Sequence, residues 1–583
     1  MKKVWRVRKA VTGDVLAQFP EMHPLVVQLL VNRGITTQEQ IEKFLTPDYK
    51  TDSHDPFLFR DMQKAVDRVF LAAEKKEKVV IYGDYDADGV CASAILKEMM
   101  NKVGIEPHIH LPHREKEGYG MNMKAAKEFI KKKFNLVVTC DCGVTSIEEI
   151  DALQKAGIDV IVTDHHAEPP KLPQAFAILN PSLKNETYPF KNLVGTGVAF
   201  KLTQAVLQEA PAHGISITQG EEKWMLDLVA IATIADFGDL IDENRTFTAF
   251  GLFVLEKTRR PGLKALKEFM NGSLGAISSE MVGYQLVPRL NAASRMDHAN
   301  TALSLLTETD SVAAFSRAQE LQKLNQDRQK VSDKMFQEGK KQFGEKPEEK
   351  LLVAVGDGWQ AGVVGLVAGK LLHLYHRPVL VIGKQKDEIV GSGRSIQHFD
   401  ITKALHAVSE HLDKFGGHPQ ACGFTVKNGH LDAFIEAIKK QAEHISEADL
   451  EDELEIDAEV SLDEISWELW EDLKKFEPFG ECNPQPVFAC KKVVVESMRS
   501  VGKSGQHLQI MVKHNSEAIR KTIAFGFAGV WAEQLPQGQE IDIAFEVSIN
   551  EWNGSRELQL RIVDIRGPQI GRLMYGILYT QLL

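Results

Sequence analysis

The chain has 583 residues, 43% hydrophobic and 26% charged, the balance of ordinary globular domains. That is too long for one core, so three or more domains are expected. No apolar run is long enough to span a bilayer, the opening Met1-Lys2-Lys3-Val4-Trp5 lacks the apolar core of an export signal, and six cysteines make no disulfide framework; the expectation is a cytoplasmic protein with reduced thiols and no membrane partner. The net charge of −12 argues against a nucleic-acid partner until its distribution is read. Fourteen acids and no Lys or Arg lie between Glu443 and Asp472; without them 67 acids face 69 bases, a net +2. A basic groove elsewhere is permitted, though not demanded.

Residues 1 to about 50 are mixed, with helical patterns at 24–33 and 37–45, and helical spacing returns over 61–75. Then strand and helix alternate. Strands are predicted at 79–82, 107–111, 136–139, 159–163 and 175–179, and helices at 92–103 and 147–156. That rhythm predicts a mostly parallel sheet covered by helices, with ligands gathering beyond the carboxyl ends of the strands. Helices are expected at 195–207 and 222–234, and one or two more over 299–342 as a bridge. A second α/β unit follows, with strands at 351–355, 379–382, 389–392 and 421–426. The acidic run reads as a connector and a helix. Strands at 507–512, 541–549 and 557–563, the last two joined through Asn553-Gly554, predict a small β-barrel of the kind that binds nucleic-acid strands. No repeats or low-complexity tracts stand out, and residues 571–583 read as a short apolar stub.

The chemistry concentrates where the first set of strands ends. Val79-Val80-Ile81-Tyr82 runs into Gly83-Asp84-Tyr85-Asp86-Ala87-Asp88-Gly89. Crowded carboxylates need a counter-charge, usually a divalent cation. Asp141 and Asp164-His165-His166 end two further strands, and Asp236 closes a later helix. Asp86, Asp88, Asp141, His165 and Asp236 are candidate ligands, with Asp84 beside them; carboxylates with imidazole favour Mn²⁺ or Mg²⁺ over Ca²⁺. An EF-hand is excluded, since Ile95 stands at the twelfth loop position and a strand precedes the loop. Extended backbone would put Asp84, Asp86 and Asp88 on one side, but a loop is expected near Gly89. His166 has two readings, a proton donor facing a phosphate or a support for the ligands. Cys140 and Cys142 lack zinc spacing and read as packed thiols. Gly391-Ser392-Gly393-Arg394-Ser395 and Gly416-Gly417-His418-Pro419-Gln420-Ala421 offer close backbone approach and oriented donors to a phosphate. Two more basic segments run from His113-Arg114 to Tyr119-Gly120 and from Pro288-Arg289-Leu290-Asn291 to Arg295. Both read as turns.

The set GDYDADG (83–89), DCG (141–143), DHH (164–166) and IAD (234–236) resembles the DHH phosphoesterase superfamily. GSGRS (391–395) and GGHPQACGF (416–424) resemble its associated C-terminal domain. PRLNAASRM (288–296) and PHREKEGYG (112–120) narrow the likeness to the RecJ single-strand-specific DNA exonucleases, over roughly residues 50 to 566. The resemblance implies two α/β lobes, a DHH domain with a mostly parallel sheet and a DHH-associated domain, joined by a long helix and followed by an OB-like β-barrel. Its domains would be an extension (1–50), the DHH domain (51–297), a helical bridge (298–348), the associated domain (349–445), an acidic connector (446–486), the barrel (487–567) and a stub (568–583).

It further implies 5′-to-3′ degradation of single-stranded DNA to mononucleotides with two ions, Mn²⁺ or Mg²⁺, in recombination and repair. Asp86 and Asp88 would hold different ions, Asp141 would bridge them, His165 and Asp236 would complete the second, and Asp84 would support the cluster. Arg114, Ser392, Gly393 and Arg394 would take the 5′-phosphate, and Arg289, Asn291 and His418 would lie near the scissile phosphate or the strand. The barrel would grip the strand by charge and stacking, with Trp552 a stacker or a core residue. A single-strand-binding protein and a RecQ-type helicase are the expected partners. Tyr82 and Ser294 depart from common family residues, a His and a Gly. The rivals are a phosphoesterase of small substrates and a catalytically dead strand-binding scaffold. The barrel and bridge speak against the first, and the full set of acids against the second.

Overall fold

The computed structural model describes residues 3–270, 277–385, 388–502, 505–515, 518–531, 535–552 and 555–567. The chain divides into two compact units. One is Glu42–Arg328 with Glu477–Pro484; the other is formed by the residues up to Ile41, Gln329–Phe476 and those from Gln485 on.

Strand β1 (Val4–Val7) belongs to the second unit. The sheet of the first unit comprises β2 (Val79–Gly83), β3 (His108–His110), β4 (Leu136–Cys140), β5 (Asp159–Thr163) and β6 (Ala177–Leu179), in the order β3-β2-β4-β5-β6. All its pairings are parallel. The apolar runs explain this, because every residue of β2 and β4 is buried, as parallel strands covered on both faces require. Val79 and Ile81 point into one core with Leu136, Val138 and Cys140; Val80 and Tyr82 point into the other with Val137 and Val162. The first core is roofed by helices Met62–Lys75, Ala87–Lys102 and Gly195–Glu209, the second by Met123–Lys132 and Ile147–Lys155.

The loop after β2 is only residues 84–86, and the helix has already begun before Gly89. Asp86 caps a helix beginning at Ala87, accepting from the backbone N–H groups of Asp88 (3.0 Å) and Gly89 (3.2 Å). Gly89 is required there, since a Cβ would stand 2.6 Å from the backbone of Asp84. The basic segment at 288–296, read as a turn, is instead the helix Val287–Met296.

In the second unit β7 (Leu352–Asp357), β8 (Val379–Lys384), β9 (Ile389–Arg394), β10 (Leu412–His418) and β11 (Ala421–Val426) form a sheet ordered β10-β11-β9-β8-β7, parallel only between β7 and β8. β10 was not predicted: its residues are mostly exposed and lack apolar alternation. The acidic stretch is not only connector and helix. β12 (Glu453–Ile456) pairs in parallel with β1, and β13 (Ala458–Glu459) joins the barrel. Glu453-Leu454-Glu455-Ile456 alternates as a half-buried strand does, and Arg6 and Arg8 meet Glu453 and Glu455, each at 2.7 Å. The barrel closes through β14 (Phe488–Val501), β15 (His507–Lys513), β16 (Ile519–Ala524), β18 (Ser555–Arg566) and β17 (Glu540–Trp552), which pairs back to β14. The Asn553-Gly554 turn, the Trp552 side chain and the stub lie outside the described residues.

The 33-residue helix Ser311–Phe343 carries the chain from one unit into the other. No helix among the described residues is long and apolar enough to cross a membrane.

Candidate metal centre

The acids collect beyond the carboxyl ends of β2, β4 and β5. Asp84 follows β2 directly, Asp141 follows β4 and Asp164 follows β5. Asp86 caps the Ala87–Lys102 helix and Asp88 lies in its first turn, where the helix dipole favours a carboxylate. Asp236 ends the Leu226–Ala235 helix. Asp141 holds a left-handed backbone at φ 60°, a region Asp tolerates better than most residues.

Three groups of potential ligands result, each with atoms within 4.8 Å of one another: Asp84, Asp86 and Asp141; Asp88, His165 and Asp236; Asp141, His165 and His166. They share Asp141 and His165. His165 Nε2 lies 3.1 Å from Asp141, 3.7 Å from Asp236 and 3.9 Å from Asp88. The sequence-predicted ligands therefore meet in one place.

The electrostatics fit divalent ions. Burial, then Asp86, pushes the Asp84 carboxyl well above its usual range. Burial, then Asp88 and Asp86, does the same to Asp141. Asp236, at the rim with its side chain 37% exposed, is pushed up to about 8 by burial and Asp88. Burial lowers the His165 imidazole, which keeps it in the neutral form that binds metals. Asp84 Oδ1 is buried without a hydrogen-bond partner among the described residues. A buried carboxylate oxygen without a donor, inside a nest of like charges, is the environment a bound cation relieves.

Asp164 belongs to none of the three groups and braces the two histidines. Its Oδ1 accepts from the backbone N–H groups of His165 (2.8 Å) and His166 (3.1 Å) and lies 2.8 Å from His166 Nδ1; its Oδ2 accepts from Val144 N–H (2.9 Å). Burial opposes charge on His166, but Asp164 outweighs it and pushes the imidazole up to about 9. The Tyr119 hydroxyl lies 2.9 Å from the same Nδ1.

The cleft over these acids is lined by Asp84, Asp86, Asp141, His166, Asp236 and Asn291, with Arg114, Arg295, Tyr85 and Tyr119 as further walls. The Arg114 guanidinium lies over the Tyr85 ring at 4.1 Å. Asn291 Oδ1 accepts from Ala87 N–H at 2.9 Å. Arg289 is not among these walls; its guanidinium donates to Gln322 Oε1 (2.7 Å), to the Phe269 carbonyl (2.8 Å) and to the Gln285 carbonyl. Sequence reasoning missed Tyr85 and the contact of Tyr119 with His166, which no local pattern announces.

In the second unit Ser392, Gly393 and Arg394 are consecutive on β9, and Arg394 Nη1 lies 3.2 Å from Ser392 Oγ and 2.8 Å from the Gly393 carbonyl. Arg394 has no carboxylate partner among the described residues, and burial lowers its pKa. His418 is exposed at the end of β10.

Comparison with known proteins follows the same division. The family model "DHH family, N-terminal domain" matches residues 78–233, "DHHA1 domain" residues 348–444 and "RecJ OB domain" residues 456–564. The single-stranded-DNA-specific exonuclease RecJ of Bacillus subtilis is 36% identical over 97% of this chain and 71% of its own length. Crystal structures of Thermus thermophilus RecJ align over 97% of this chain. The Mn²⁺ complex is 28% identical, covered over 79%, with a TM-score of 0.82; the Mg²⁺ complex is 26% identical, covered over 78%, with a TM-score of 0.76. With its acids gathered at the strand ends, and with these relatives matched along nearly its whole length, the chain belongs to the RecJ family of single-stranded-DNA-specific exonucleases.

Proposed function

We propose that this protein is a cytoplasmic nuclease that hydrolyses single-stranded DNA from the 5′ end to mononucleotides, using two divalent ions, Mn²⁺ or Mg²⁺, in recombination and repair. The observation that carries the reading is the overlap of the three ligand groups at Asp141 and His165. Two ions held this way supply an activated water and stabilise the leaving oxygen of a phosphodiester. Asp84, Asp86 and Asp141 would hold one ion; Asp88, His165 and Asp236, with Asp141 shared, would hold the other.

The chain's own groups do the rest. His166, oriented by Asp164, donates a hydrogen bond to the phosphate being cleaved. Arg114, fixed over Tyr85, supplies positive charge to a phosphate in the same cleft. Asn291 both caps the helix that bears Asp88 and contacts the strand. Arg289 acts at one remove, anchoring the helix that presents Asn291 and Arg295. In the second unit, Arg394 with Ser392 and the Gly393 backbone forms an anion seat for a 5′-phosphate, and His418 contacts the strand. The barrel holds the 3′-ward strand by charge and stacking. A single-strand-binding protein and a RecQ-type helicase complete the proposed setting.

Digestion of 5′- and 3′-labelled single strands and duplexes, with and without Mn²⁺, tests the reading. Release of labelled mononucleotide first from 5′-labelled single strands, only with metal, is expected. Cleavage confined to oligonucleotides of two to five residues would instead place the protein among small-substrate phosphoesterases.

A further inference from the structure

The Gly195–Glu209 helix begins against the acid cluster, and nothing in the chemistry above uses it. The backbone N–H of Gly195 donates to Asp88 Oδ2 at 2.8 Å, and that of Thr196 to Asp88 Oδ1 at 2.7 Å. The Thr196 hydroxyl donates to the backbone carbonyl of Asp88 at 2.8 Å. Asp88 is 2% exposed and Thr196 is fully buried. The first amides of a helix have no partner within it, and the positive end of the helix favours an anion. Here those amides are spent on one carboxylate, one donor to each oxygen, which fixes its plane. The lone pairs left over then have set directions, whereas a carboxylate without donors turns freely.

Gly195 has a second property. A Cβ at this position would stand 2.6 Å from Asp141 Oδ1 and 2.7 Å from Asp141 Cβ. The helix can reach Asp88 only because its first residue leaves room for Asp141. One glycine therefore touches both halves of the cluster, donating to an acid of one ligand group and making space for the acid shared by the other two.

We propose that Gly195 and Thr196 are positioning residues that orient Asp88 and Asp141 and thereby set the affinity of the centre for its divalent ions. The proposal rests on reading the cluster as a two-ion centre. It concerns groups that contact neither metal nor substrate, and it makes the Gly195–Glu209 helix part of the metal site's construction.

The test is Mn²⁺ titration of the full-length, EDTA-stripped protein, with free Mn²⁺ followed by electron paramagnetic resonance and folding by circular dichroism. Gly195→Ala should weaken Mn²⁺ binding about 10- to 100-fold, the range for groups that orient ligands. Thr196→Val should weaken it less, and Thr196→Ser, which keeps the hydroxyl, should bind as the parent does. The lost nuclease activity of Gly195→Ala should return in part as Mn²⁺ is raised. Parental Mn²⁺ affinity in both Gly195→Ala and Thr196→Val would overturn the proposal while leaving the two-ion centre standing. Should Gly195→Ala fail to fold, the threonine pair decides, and equal affinities for valine and serine overturn it. A parent that binds no Mn²⁺ at all removes the centre and the proposal together.

Discussion

Replacing Asp141 by Asn separates the cost of the acid cluster from its use. Asn is the right substitution because position 141 has φ 60°, which Asn accepts and which would strain Ala. The change removes one charge and little volume. Oxygens of Asp84, Asp86 and Asp141 lie within 4.8 Å of one another. At an effective dielectric of about 20, two full charges that far apart repel by about 3 kcal/mol. Some of this is already relieved in the metal-free protein, because the raised carboxyl groups retain protons, so about one such pair is what the variant recovers. The unit that houses the site is about 300 residues long. Its unfolding entropy of about 0.6 kcal/mol/K turns about 3 kcal/mol into a rise of about 5 °C in Tm. Metal reverses the order. An ion present at 100 times its Kd stabilises the parent by about 2.7 kcal/mol per site, and the variant forfeits most of that together with its nuclease activity. Differential scanning calorimetry at pH 8, once in EDTA and once in Mn²⁺, should show the variant melting above the parent in the first and below it in the second. A variant that melts below the parent in EDTA, or gains as much from Mn²⁺ as the parent, would refute the reasoning.

The same cluster fixes a pH dependence. Asp84, Asp141 and Asp236 have folded-state pKa values raised above the unfolded value of about 4, so the metal-free native state holds protons that the unfolded chain has released, and stability falls as pH climbs from about 4 towards the value of about 8 reached by Asp236. Urea midpoints in EDTA should decline over that window; a flat or rising profile contradicts the assignment. Lys201 and Glu243 are both fully buried and meet at 2.7 Å, so Lys201→Met should cost about 3–5 kcal/mol by stranding Glu243, and adding Glu243→Gln should restore much of the loss in urea unfolding. Arg394→Ala should weaken use of 5′-phosphorylated strands about 10- to 100-fold, the worth of a charge-assisted hydrogen bond, and spare 5′-hydroxyl strands; equal losses on both in KM measurements would exclude phosphate recognition by Arg394.

What the sequence made legible was local. A strand buried on both faces is a run of apolar residues, and an acid at its carboxyl end is the next residue along, so β2 with Asp84 and β4 with Asp141 announce themselves. β10 escaped because an exposed strand carries no such signature, and β12 because its glutamates read as part of a charge run until Arg6 and Arg8 are seen against them. Contacts made by folding escaped as well. Nothing near position 195 says that this amide will meet Asp88, more than a hundred residues away.

The helix Val287–Met296 was open to a better reading, and it shows where the missing information lay. At about 100° per residue, Asn291 and Arg295 are one turn apart and share a face, whereas Arg289, two residues before Asn291, projects to nearly the opposite side. Taken as a turn, the segment offers three equivalent polar residues to a phosphate. Taken as a helix, it can bring only Asn291 and Arg295 to one cleft, as observed, while Arg289 is left to donate to Gln322, Phe269 and Gln285. Pro288 lies inside a continuous helical run, in which Ser279–Met281 and the π-helical turn Val282–Leu286 lead straight into Val287–Met296, so a residue that ordinarily interrupts a helix is accommodated here by the wider turn before it.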